Sequence, residues 1–154
     1  TEFTKAFNNV FSFTPFEKKD LKISEDNSLN AHIAYLESLD AMLKKNFGSF
    51  KGTMITAIET FIQKNDARQI TYLINTIPTH LDSLLKISVP SRFVTIHLDL
   101  LNLWQKKLLM YEAITNYTSD PLKAYLAMQQ IESLGQQDIN IQIVLIKRYQ
   151  ELKS

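Results

Sequence analysis

Apolar residues recur along most of this chain at intervals of three and four, the spacing that lines one face of an α-helix. The stretch from Val89 to Leu126 shows the arrangement most plainly. Val89-Pro90 interrupts a helix, because a residue before proline is pushed out of the helical region. Ser91 then offers a cap, and Phe93 to Tyr111 is an amphipathic run. Asn116 to Ser119 is polar, and Asp120 offers a second cap. Pro121 follows at a first helical position, where its missing N–H costs nothing.

The same reading extends in both directions. Asn27 or Ser28 caps a first main helix with the stripe Leu29, Ile33, Leu36, Leu39 or Asp40, Leu43 and Phe47, and Gly48 ends it. A second helix carries Met54, Ile55, Ile58, Phe61 and Ile62, and Asn65-Asp66 supplies the break and the next cap. A third presents Ile70, Leu73, Ile74, Ile77, Leu81, Leu84 and Leu85. Pro78 inside it predicts a kink or two shorter helices. The fourth has Val94 or Phe93, Ile96 or His97, Leu100, Leu101, Trp104, Leu108 and Tyr111. The fifth has Leu122, Tyr125, Leu126, Met128 and Ile131, with Gly135 expected to end or bend it. Asp138 would then cap a sixth through Ile139, Ile143, Ile146, Tyr149 and Leu152. The expected fold is all-α, an up-and-down bundle of five or six antiparallel helices over residues 20–154.

Residues 1–19 form a short Phe-rich N-terminal strap or linker. Phe3, Phe7, Val10 and Phe11 share one helical face, and Pro15, between Phe13 and Phe16, ends it. Phe3, Phe7, Phe11 and Phe16 are then either packed on the bundle or an interaction surface for a partner. Lys18 to Asn27 is a polar connector.

Composition narrows the function classes. The 154 residues suit one domain, and only 3 Gly and 4 Pro occur, as helices require. Lys+Arg 17 against Asp+Glu 16 leaves +1, with no basic block. A nucleic acid or an anionic membrane surface is therefore not the expected partner. With no cysteine, disulfides, thiolate metal sites and cysteine nucleophiles are excluded. No apolar run approaches the ~18 residues of a membrane span, and no signal-peptide pattern opens the chain. Thr1 in place of Met suggests processing or a cut, so any membrane attachment is expected through an anchor upstream.

The candidate chemistry is thin. His80-Leu81-Asp82 and His97-Leu98-Asp99 look like paired ligands, but residues two apart on a helix point about 200° away from each other. His32 stands alone, and no Glu-x-x-His occurs, so no metal residue is assigned. A metal enzyme using His97 with acids of neighbouring helices is the least favoured reading. There is no nucleophile elbow and no glycine-rich phosphate loop, so no catalytic or cofactor residue is assigned. Trp104, Tyr111 and Tyr125 are a possible pocket between helices, although aromatic stripes more often belong to a core. Asn116-Tyr117-Thr118 matches a glycosylation sequon and marks an exposed loop.

Several pieces carry a resemblance: Asp20-Leu21-Lys22-Ile23-Ser24 with Glu25-Asp26-Asn27-Ser28, Val89-Pro90-Ser91, His97-Leu98-Asp99-Leu100-Leu101-Asn102 and Asp120-Pro121-Leu122. Over roughly residues 20–131 the chain resembles uncharacterised all-helical domains of bacterial envelope proteins. That resemblance implies a domain facing outward from the cell, tethered by an upstream membrane segment, and it carries no activity. The Phe-rich start departs from the polar linker that such domains have. The expected function is a non-enzymatic, extracytoplasmic interaction or scaffold domain whose partner is a protein. The alternative is a helical carrier binding a small apolar ligand or lipid. Oligomeric state is left open.

Overall fold

The computed structural model describes residues 2–154, the side chains at positions 2, 3, 4 and 6 excepted. A short helix α1 (Glu2–Phe11) precedes α2 (Leu29–Phe47), α3 (Met54–Lys64), α4 (Arg68–Lys86), α5 (Val94–Thr115) and α6 (Pro121–Lys153). The molecule is an all-helical bundle. Two three-residue strands, β1 (Lys22–Ser24) and β2 (Ser88–Pro90), pair in parallel with Ile23 opposite Val89. The α2–α4 hairpins lie between them in sequence, so this pair closes a long crossover and buries Val89 completely.

Local chemistry sets most of the boundaries. The Ser28 hydroxyl accepts the Ala31 N–H at 3.2 Å and starts α2. Thr53 and Thr56 cap α3 reciprocally, each side-chain oxygen accepting the other's backbone N–H. Asn65 ends α3 with φ at 50°, a left-handed conformation asparagine tolerates. The Asp66 carboxylate accepts the Arg68 N–H as α4 begins. Asp120 accepts the Lys123 N–H at 3.0 Å, with Pro121 first in α6.

Ser91 does not cap α5. Residues Ser91–Phe93 make one tight 3-10 turn before Val94, and the Ser91 hydroxyl accepts from Asn27 Nδ2 at 2.7 Å. Asn27 also accepts the Arg92 N–H at 3.2 Å, so it ties the connector to the start of α5. Pro78 lies within α4 without dividing it. Gly135 does not end a helix, and Asp138 caps none: the expected fifth and sixth helices are one helix of 33 residues. Its buried residues Ala124, Ala127, Leu134, Ile141 and Leu145 keep helical spacing across Gly135. A continuous packing stripe therefore outweighs the roughly 1 kcal/mol a helical glycine costs.

Helix α5 is the centre of the molecule. It packs on α4 and α6, α2 lies against α4 and α6, and α3 rests on α4 and α5. Its residues His97, Leu101, Leu103, Met110 and Ile114 are sealed from solvent. The strap is docked on this core. Phe7, Phe11 and Phe13 are buried, and the Phe7 ring lies 4.9 Å from Phe11 and 5.6 Å from Phe13. Asn102 of α5 accepts the Phe16 backbone N–H at 2.7 Å, and Lys106 lies over the Phe7 and Phe13 rings. The interaction surface expected at Phe7 and Phe11 is thus spent inside the molecule, and Phe16 is half-buried. Five free phenylalanines on a monomer would form a patch that water disfavours. The Phe3 side chain lies outside the described residues.

Candidate ligand-binding cleft

A cleft opens where α2, α4, α5 and α6 meet. It has a volume of about 500 Å³ and is open on one side. Leu36, Leu84, Leu100, Trp104 and Leu145 form its apolar walls. Each arises from helical spacing. Leu84 lies two turns beyond Ile77 on α4, and Leu100 and Trp104 are one turn apart on α5.

Trp104 is held on several sides. Its ring stacks on Phe47 with centroids 4.9 Å apart and planes 7° apart. His80 meets it edge to face at 4.8 Å. Lys107 Nζ lies 4.4 Å from its centroid, a cation–π contact. Lys107 is only 6% exposed, and its charge is answered by Asp138 of α6 at 2.6 Å. Asp138 therefore serves as a counter-ion rather than a helix cap.

His80 is the one fully buried polar side chain of the cleft wall, 2% exposed. Asn46 Nδ2 donates to its Nδ1 at 2.8 Å. Burial, and secondarily the charge of Lys107, push its pKa down to about 4, so the ring is neutral. The rim is polar: Glu37 accepts from the Tyr149 hydroxyl at 3.1 Å and lies 3.9 Å from Lys153, and Asp40 pairs with Lys44 at 2.7 Å.

Of the three aromatics expected at a pocket, only Trp104 lines it. Tyr111 is buried in the core, where desolvation holds its phenol well above the usual range. Tyr125 is 59% exposed on the outer side of α6 and accepts from Gln129. Sequence reasoning did not assign His80, Leu145 or Tyr149 to the site. His80 had a signal, since Ile77, His80 and Leu84 follow three-and-four spacing on the buried face.

The other histidines are structural. His97 is sealed between the Tyr35 hydroxyl at 2.8 Å and the Leu84 carbonyl at 2.9 Å. His32 pairs with Asn27 Oδ1 at 3.1 Å and lies edge-on to Phe93. Among the described residues no three His, Asp or Glu side chains converge as a metal site requires. No described helix is long and apolar enough to cross a membrane. Comparisons with protein-family models, with curated proteins and with solved structures find no match to this chain.

Proposed function

We propose that this chain is a non-enzymatic helical binding domain that takes a small, largely apolar molecule into the cleft between α2, α4, α5 and α6. The observation that carries this reading is the cleft itself. Helical cores pack to near-crystalline density, whereas here about 500 Å³ stays open between four helices. That volume falls within the roughly 300–1,000 Å³ of small-molecule sites. Apolar walls with one buried polar group fit the same pattern. Placement outside the cytoplasm is part of the proposal and rests on the sequence resemblance.

Trp104 is the only tryptophan, so it reports on the cleft without labelling. Titration with the neutral dye N-phenyl-naphthylamine is expected to give saturable energy transfer from Trp104. Substitution of the half-buried wall residue Leu39→Phe should weaken it about tenfold by filling the cleft. No transfer, or transfer unaffected by the filling variant, would contradict the proposal.

A second reading, an interaction or scaffold domain for a protein partner, is favoured by the outward side of α6. Ile139 and Ile143 are each more than half exposed there, one helical turn apart. A bait carrying Ile139→Glu and Ile143→Glu should lose a partner that the unaltered protein retains from an envelope fraction. Recovery of the same proteins by both baits counts against it.

A further inference from the structure

The polar groups of the cleft are arranged with a direction, and that direction specifies the ligand. Among its polar lining residues only His80 is buried; Gln142 and Tyr149 are half-buried, and Glu37, Asp40 and Gln150 are exposed at the rim. With Asn46 donating to Nδ1, the neutral His80 ring carries its proton on Nε2. Among the described residues this Nε2–H has no hydrogen-bond acceptor, and its ring is fixed edge-on against Trp104 and Phe47.

We propose that the cleft selects an uncharged ligand with a hydrogen-bond acceptor, such as a ketone, an ether or a ring nitrogen, at its buried end. His80 Nε2–H is the donor that receives it, and donor groups at the ligand's outer end face Glu37 and Asp40. This rests on the cleft being a binding site, as proposed above.

Two other ligand chemistries fit the same walls less well. A plain hydrocarbon end would cover the His80 N–H and leave it unpaired, which costs binding energy. A carboxylate end would lose its water without gaining a counter-charge. The lining holds two carboxylates, Glu37 and Asp40, and no lysine or arginine. Lys44 and Lys153 nearby are already paired with those carboxylates, and Lys107, against the Trp104 ring, is paired with Asp138. Burial keeps His80 itself neutral. Fatty acids are therefore poor candidates, and neutral ring compounds with a carbonyl or ring nitrogen are good ones.

Three probes of nearly equal size separate these cases by calorimetric titration: naphthalene, methyl naphthyl ketone and naphthoate. The ketone is expected to bind about tenfold tighter than naphthalene, the gain from one well-made hydrogen bond. Naphthoate should bind more weakly than either. In the variant His80→Phe the ketone and naphthalene should bind alike. Should that variant not fold, nitrogen NMR of the unaltered protein serves instead, with the His80 Nε2 resonance moving on addition of the ketone and not of naphthalene. A ketone that binds no tighter than naphthalene, an unmoved Nε2, or naphthoate as the tightest probe would overturn this ligand class while leaving the cleft a binding site. If none of the three binds, the inference falls together with the reading it rests on.

Discussion

Lys107 shows how a single residue can decide the local design. It lies on the core face of α5, one turn beyond Trp104, and pairs directly with Asp138 of α6. A buried cation is tolerable only while its partner remains. Asp138→Asn should therefore lower stability by about 2 kcal/mol, less than for a fully buried pair because the Asp138 side chain is 33% exposed. The double variant Lys107→Met with Asp138→Leu should stand close to the parent, since two apolar residues pack without a desolvation cost. Urea denaturation of the three proteins checks both statements, and a double variant weaker than Asp138→Asn would contradict them. Neither role was legible beforehand. Lysine and aspartate read as solvated in isolation, and nothing local pairs positions 31 residues apart.

Helix α6 carries the lesson at the scale of elements. Where a cap is local chemistry, as at Ser28 and at Asp120-Pro121, the sequence was enough to place it. Ser91 and Asp138 have the same chemistry, yet their side chains are taken by the distant partners Asn27 and Lys107. The buried face of α6 was also hard to choose. Leu122, Tyr125, Ile139, Ile143 and Ile146 look like a stripe but are exposed, while Ala124 and Ala127 are buried against neighbours. Small residues mark the close approach, and hydropathy alone does not reveal it. Gly135 offers a direct test, because a Cβ there meets no atom within 4 Å. Gly135→Ala should stabilise the protein by about 0.5–1 kcal/mol through helix propensity alone. A loss of stability in thermal melts would mean that α6 bends at this position.

At the scale of the whole molecule, all three histidines of the chain are buried, and of these only His32 has a carboxylate, Asp26, near enough to favour its charged form. Burial is the first cause lowering the pKa of each: His80 to about 4, with Lys107 adding to it; His97, opposed by the Leu84 hydrogen bond; and His32, with Arg148 and Arg92 adding and Asp26 opposing. The unfolded chain therefore takes up protons first as pH falls. The stability of the neutral rings is complete above the ordinary histidine pKa, about 6.5. It is lost as pH falls from there toward about 4. Stability should drop between about pH 7 and pH 5 by on the order of 2 kcal/mol, with most carboxylates still ionised. His80→Phe should flatten that slope, and an unchanged slope would show that His80 does not contribute.

The bundle was legible because apolar spacing and caps are properties of single segments. The cleft was not, apart from Trp104, because it is made by four helices that fail to close on one another. Its position is also the most direct test of the account. Amide NMR of the labelled protein titrated with methyl naphthyl ketone should move the signals of Leu36, His80, Leu100, Trp104 and Leu145 together, with one saturation curve. Shifts confined to the outer side of α6 at Ile139 and Ile143, or no saturable shift, would contradict the cleft as the functional site.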